Sequence, residues 1–182
     1  MFPIHTIDSA SVGSQPMLSG AKSAFGFVPN LLGMLAEAPA ALESYLAVSS
    51  AFQKSSLTPA EQQVVLLAVS VMNECRYCVA AHTMIAVGAK VPGEVVEALR
   101  SRGPIADPKL EALRRFTEAV VQERGWAEQE LPGFLAAGYT RAQVLEVLVG
   151  ITQKTLSNYA NHLAETPLDA AFATSAWVPA EV

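Results

Sequence analysis

A chain of 182 residues, 51% hydrophobic and only 16% charged, holds enough apolar material for one full core and a surplus for burial against another subunit. Its net charge is −5 and it has no Lys/Arg cluster, which argues against nucleic acid as a partner. No run approaches the roughly 20 apolar residues of a membrane span, and Met1-Phe2-Pro3-Ile4-His5 lacks the basic and apolar regions of a signal peptide, so the expected setting is a reducing cytoplasm.

Residues 1–15 carry Ser9, Ser11, Gly13 and Ser14 with few apolar anchors and read as an extended arm; residues 16–182 read as one helical domain. A short helix over 17–27 is stopped by Gly26, and Val28-Pro29 enforces an extended step. A short apolar segment over 30–36 follows. Pro39 then opens a helix over 40–53 with Leu42, Tyr45, Leu46, Ser49 and Phe52 at helical spacing. Thr58-Pro59-Ala60-Glu61 combines an N-cap, a proline at the first helical position and a capping-box glutamate. The helix it starts runs through Met72 and is apolar on nearly all faces, so it should be central and buried. After a brief turn near Asn73-Glu74 another helix runs to Val87, where Gly88 stops it. Further helices are expected over 93–100, from Asp107-Pro108 to Gly125, and over 128–137. Thr140 to Gln143 forms a second capping box. The last long helix runs from there through His162, Pro167 marks its end, and a short tail helix lies near 169–173. No segment alternates with a period of two, so the fold class is all-α. A faint echo between 58–70 and 140–152 is read as two capped core helices of similar patterning.

Both cysteines of the chain lie in Asn73-Glu74-Cys75-Arg76-Tyr77-Cys78-Val79-Ala80-Ala81-His82. In a helix, Cys75, Cys78 and His82 stand at i, i+3 and i+7 and share one face. Two sulfurs a turn apart can close a disulfide. A reactive cysteine must be a thiolate, and two features favour one here: the N-terminal end of the helix, and His82, which can take the proton or sit beside the sulfur as imidazolium. Cys78 is one turn from His82, so it is the expected attacking thiol and Cys75 its partner. A peroxide would oxidise Cys78 to a sulfenic acid, with which Cys75 would condense. The two neighbouring helices should pack antiparallel, which sets Gln63 beside His82; the amide can orient the imidazole but cannot carry a proton as a carboxylate would. A zinc site would need His5 or His162 to complete a tetrahedron, and no metal or other cofactor is expected.

The core Leu57-Thr58-Pro59-Ala60-Glu61, Leu67-Ala68-Val69-Ser70 and Asn73-x-Cys75-x-Tyr77-Cys78-x-x-Ala81-His82 resembles the AhpD-like alkylhydroperoxidase branch of the carboxymuconolactone decarboxylase superfamily. Its peroxidase-related members are resembled also by Phe25-Gly26-Phe27-Val28-Pro29-Asn30-Leu31-Leu32, by Asn158-Tyr159-x-Asn161-His162 and by Thr166-Pro167-Leu168-Asp169. The resemblance covers about residues 20–177. It implies an all-helical homo-oligomer and a thiol peroxidase or disulfide reductase, acting on a hydroperoxide and a dithiol or protein reductant without metal or haem. It implies a peroxidatic Cys78, a resolving Cys75 and a proton-relay role for His82, and His162 matches a family position. The family relay also has a glutamate twelve residues before the first cysteine; here that position is Gln63, and Glu61, Glu74 and Glu146 are the carboxylates that could compensate. The departure at Gln63 opens a second reading, a redox-sensing or small-molecule-binding protein with little turnover. A third, by superfamily analogy alone, is a carboxymuconolactone-decarboxylase-type enzyme.

Overall fold

The computed structural model describes residues 2–179, which form nine α-helices, one 3-10 helix and no strand. The helices are α1 (Gln15–Phe25), α2 (Asn30–Leu35), α3 (Pro39–Gln53), α4 (Pro59–Met72), α5 (Arg76–Gly88), α6 (Gly93–Arg100), α7 (Pro108–Gln122), α8 (Leu131–Ala136) and α9 (Arg141–Ala164), followed by the 3-10 helix Ala170–Ser175. The all-α class expected from the periodicity is the fold observed.

Helix α4 is the axis of the molecule. Its residues from Gln63 through Val71 are all buried, and it packs against α5, α6, α7 and α9. Its start is fixed as expected: Thr58 Oγ1 accepts from the Glu61 amide and the Glu61 carboxylate accepts from the Thr58 amide. Glu61 is itself buried and pairs with Lys109 of α7 at 2.8 Å. A second capping box, Thr140 with Gln143, starts α9. The buried side chains fall into two clusters. The larger joins α4 to α6, α7, α8 and the first half of α9; the smaller joins α1, α2 and α3 to the first turns of α5 and to Phe172.

The α4–α5 turn has a specific geometry. Glu74 adopts a left-handed conformation at φ 55°, the Cys75 amide donates to Ser70 O at 2.9 Å, and the Glu74 amide donates to Val71 O at 3.0 Å. These are the two bonds of a Schellman stop, formed here without the usual glycine. Arg102 pairs with the Glu74 carboxylate at 2.7 Å and holds the turn from outside. Helix α5 therefore begins at Arg76, and Cys75 is its extended N-cap residue rather than a member of the helix.

Other departures from expectation are local. Helix α1 begins at Gln15, two residues earlier than expected, although Gly26 at φ 81° stops it as expected; α8 is confined to Leu131–Ala136, and the tail helix is 3-10 in form. The N-terminal arm is tied down: the His5 amide donates to Gly33 O at 3.0 Å and Ser14 Oγ donates to Ala36 O at 3.0 Å. The segment after the 3-10 helix is tied as well, with Trp177 Nε1 donating to Arg100 O at 2.9 Å. Part of the apolar surplus lies along the outer side of α9, where Leu145, Leu148, Tyr159 and Leu163 are exposed.

Gly150 sets how closely α9 approaches its neighbours. A Cβ at this position would lie 2.7 Å from Phe52 Cζ and 2.8 Å from Val65 Cγ1, so only glycine allows α9 to rest on α3 and α4 at this depth. Gly150→Ala should cost about 1–3 kcal/mol by overpacking despite the better helix propensity of alanine. Thermal unfolding of the variant should show a melting temperature several degrees lower; an unchanged or raised value would mean that the helices yield freely.

Candidate active site

The first turn of α5 presents both sulfurs to α9. Cys75 caps the helix, Cys78 is its third residue, and each is only 1% exposed. Both are free thiols. Asn161 Nδ2 lies 3.3 Å from Cys78 Sγ and 3.8 Å from Cys75 Sγ, so one amide spans the pair. Ser157 Oγ lies 3.8 Å from Cys78 Sγ. Both cysteines stand at the N-terminal end of α5, where the helix dipole favours an anion.

The contribution of α9 is a polar stripe inside an otherwise apolar contact. Gln153, Lys154, Ser157, Asn158 and Asn161 are all buried, and Lys154 is 0% exposed. Their spacing of three and four residues places them on one side of the helix. Asn158 Oδ1 accepts from Asn73 Nδ2 at 3.0 Å, which fixes the stripe against the α4–α5 turn. Lys154 Nζ has no hydrogen-bond partner of regular geometry and lines the same cavity as Cys78.

These surroundings split the two thiols. Burial opposes ionisation of Cys78, but hydrogen bonding from Cys75 and the positive charge of Lys154 outweigh it and hold Cys78 well below the ordinary thiol range. Cys75 is pushed far up, first by its hydrogen bond to Cys78 and then by burial. Both shifts favour the same division, with negative charge on Cys78 and the proton on Cys75. Lys154 is raised in turn: burial works against its charge, and the negative charge of Cys78 outweighs burial.

Gln63 and His82 meet as the antiparallel hairpin requires. His82 Nδ1 donates to Gln63 Oε1 at 3.0 Å, and both residues are buried. Because the amide oxygen only accepts, the proton sits on Nδ1 and Nε2 is left as an acceptor. Burial first, and the charge of Lys154 second, hold His82 well below its usual range, so it is neutral at neutral pH. The hydrogen bonds of the site join His82 to Gln63 and Cys78 to Asn161 and Ser157; none joins His82 to Cys78. The expected direct pairing of imidazole and thiol is thus corrected to a thiol served by α9 and an imidazole facing the cavity.

The expected compensating carboxylates are engaged elsewhere. Glu61 caps α4 and binds Lys109, Glu74 binds Arg102, and Glu146 accepts from the Ser56 amide and hydroxyl at 2.9 and 2.8 Å. No carboxylate lines the cavity among the described residues. His162 is exposed, and the side of α9 that reaches the cysteines carries Asn161 instead. His5 pairs with Glu37 at 2.6 Å. Among the described residues no group of three or more His, Cys, Asp or Glu is arranged to hold a metal ion.

The cavity has a volume of about 400 Å³. Its lining combines Cys78, His82, Gln63, Lys154 and Gln153 with the polar Ser49, Ser50, Gln53 and Gln62 and with a larger apolar wall that includes Leu32, Phe52, Leu66, Ile85 and Phe172. The wall is braced by Tyr77, whose hydroxyl donates to the Asp169 carboxylate and accepts from the Leu31 amide at 3.3 Å, while Asp169 also accepts from the Asn30 amide at 3.2 Å. Phe172 packs edge-on against Tyr77 with ring centroids 5.9 Å apart. The sequence reading assigned no role to Lys154, Ser157 or Asn161. The signal it passed over was the run of polar residues at i, i+3 and i+7 on the inner side of a long core helix.

The comparisons agree with this architecture. Residues 36–119 match the carboxymuconolactone decarboxylase family, and the fold is AhpD-like. The fold is similar to that of an AhpD-core, uncharacterised peroxidase-related protein from Ralstonia eutropha JMP134, with a TM-score of 0.76 and 18% identity over 94% of this chain and 93% of that one. An uncharacterised peroxidase-related protein from Silicibacter sp. TM1040 gives a TM-score of 0.74 at 18% identity, covering 94% and 91%. A cysteine-to-alanine variant of the debrominase Bmp8, solved in complex with 2,3,4-tribromopyrrole, gives 0.79 at 16% identity, covering 96% and 94%. No curated protein sequence matches the chain. No helix of the described residues is long and apolar enough to cross a membrane.

Neutral burial of His82 has a consequence for stability. Its folded pKa is depressed, so its contribution is complete above the unfolded value near ~6.5 and falls as pH drops toward the folded value. The loss should reach up to about 1.4 kcal/mol per pH unit below ~6.5. Urea unfolding at pH values on either side of that point should show a smaller acid loss in His82→Gln than in the parent chain. Equal losses would mean that His82 protonates in the folded state.

Proposed function

We propose that the chain is a thiol-dependent peroxidase that reduces organic hydroperoxides through a Cys75–Cys78 dithiol/disulfide cycle. The observation that carries this reading is the pair itself: two buried free thiols both touched by Asn161, with Cys78 lining the cavity beside Lys154 and favoured as the thiolate over Cys75. The Cys78 thiolate attacks the terminal oxygen of the hydroperoxide; an S–O bond forms, the O–O bond breaks and an alkoxide leaves. The Cys75 thiol then attacks the sulfenic sulfur, an S–S bond forms, and hydroxide leaves with the cysteine's proton as water. A dithiol or protein reductant restores the pair. His82, held by Gln63 with Nε2 as acceptor, is placed to orient the O–H of the bound peroxide rather than to store a proton. The apolar walls favour an organic hydroperoxide over hydrogen peroxide. The exposed apolar stripe of α9 supports a homo-oligomer.

Gln63 favours a second reading. With an amide in place of the relay carboxylate, the same dithiol could serve a redox sensor or a binding protein for small apolar molecules. The similarity in fold to a debrominase solved with a bromopyrrole places a halogenated aromatic among the ligands to try. Dithiol-supported consumption of an alkyl hydroperoxide separates the readings. The peroxidase reading expects turnover in the ordinary enzyme range of ~1–10³ per second, its loss in Cys78→Ser, and a single turnover with a persistent sulfenic acid in Cys75→Ser. Full activity in Cys78→Ser would overturn it, and rapid disulfide formation without turnover would establish the second reading instead.

A further inference from the structure

Lys154 is the one lysine of five that the fold encloses; Lys22, Lys54, Lys90 and Lys109 are all exposed. An ammonium group inside a helical core is strongly unfavourable unless an anion stands beside it. No carboxylate lines its cavity among the described residues, and Nζ makes no hydrogen bond of regular geometry. The groups near it that can carry negative charge are Cys78, Tyr45 and Cys75. Tyr45 is kept protonated by burial, and Cys75 by its hydrogen bond to Cys78 and by burial. The sulfur of Cys78 remains. Lys154, Ser157 and Asn161 stand at i, i+3 and i+7 of α9, and the latter two approach that sulfur at 3.8 and 3.3 Å.

We infer that Lys154 is the counter-ion and proton partner of Cys78: it holds the sulfur as a thiolate in the reduced site and gives up one proton over the oxidation that ends in the Cys75–Cys78 disulfide. The inference rests on the peroxidase reading for its oxidant and reductant, and the protons then balance without a solvent proton. The reduced site holds Cys78–S⁻, Cys75–SH and Lys154–NH₃⁺. With a hydroperoxide ROOH it yields the disulfide, neutral Lys154–NH₂, ROH and water. The alkoxide released on O–O cleavage takes the proton of Lys154, and the hydroxide released on S–S formation takes that of Cys75. A reducing dithiol returns both protons as it becomes a disulfide. Oxidation removes the anion that kept Lys154 charged and leaves burial, which favours the neutral amine. Lys154 thereby fills the vacancy left by Gln63 with a cation that stabilises the thiolate and carries the proton, where a carboxylate relay would act as a base.

The titratable groups around Cys78 are Tyr45 on α3, Cys75 at the cap of α5, Tyr77 and His82 on α5, and Lys154 on α9; α4 contributes uncharged Gln63 to the same cavity. Ultraviolet thiolate absorbance against pH isolates the role of Lys154 among them. The parent chain should keep its thiolate through neutral pH. In Lys154→Met the thiolate fraction at pH ~7 should fall at least about 30-fold, to the few per cent of an ordinary cysteine or less, and return only above ~8.5. Lys154→Arg, which keeps the charge, should retain the parent profile. A folded Lys154→Met whose titration overlays the parent would overturn the inference. A measurement that needs no variant is the side-chain nitrogen resonance of isotope-labelled lysine at neutral pH, where Lys154 should be charged in the reduced protein and neutral in the disulfide form. A Lys154 charged in both forms would overturn the proton transfer. Neither readout uses a peroxide. A parent chain that titrates as expected yet turns over no hydroperoxide would refute the peroxidase reading and leave the Cys78–Lys154 pair standing.

Discussion

Placing a negative sulfur in a helical core costs several kcal/mol unless charge and donors surround it. The contact between the first turn of α5 and the middle of α9 supplies both. From α5 come the helix N-terminus and the Cys75 thiol; from α9 come the Asn161 amide, Ser157 and the Lys154 ammonium. No single donor in this set outweighs burial. Together they put the charge on Cys78 and leave the proton on Cys75, and that division separates an attacking sulfur from a resolving one.

Much of the fold can be understood as holding these two helices at the required distance. The Schellman stop at Glu74 fixes the direction in which the chain leaves α4, so that Cys75 becomes a cap and Cys78 falls in the first turn. Gly150 lets α9 settle on α3 and α4 one turn before Lys154. Tyr77, between the two cysteines, anchors α5 to Asp169 and to the start of α2. These ties leave a cavity that is apolar along most of its wall and polar where the sulfur lies. A site of this kind strengthens each charge interaction inside it, because little water competes.

The helices were legible because their signals are local. Capping boxes at Thr58 and Thr140, prolines at first positions and the glycine stops at Gly26 and Gly138 are read from a few adjacent residues, and the observed elements follow them closely; the expected stop at Gly88 is instead made by left-handed Lys90, with Gly88 inside α5. The pairing of Gln63 with His82 was legible as well, since a short turn between two helices leaves only one way to fold them back. The chemistry around Cys78 was not. Lys154 and Asn161 lie 76 and 83 residues from it in the chain, and nothing local says which face of α9 turns inward. Polar residues on a long helix read first as its solvent side, so the buried stripe was passed over and the exposed His162 was considered in its place. Glu74 misled in a smaller way: a left-handed residue without glycine moved the start of α5 past Cys75. Cys75 is thus the cap of α5 rather than a helical residue, while its sulfur still faces α9 beside that of Cys78.

The account depends on Cys78 being an anion at neutral pH while Cys75 and His82 are not charged. The most direct measurement is a pH titration of thiolate absorbance in the reduced parent chain, with the ionising sulfur assigned by mass spectrometry after brief alkylation at low pH. The account predicts one thiolate that persists well below ~8.5 and is alkylated at Cys78. Two sulfurs that both titrate at or above ~8.5, or preferential alkylation of Cys75, would contradict it.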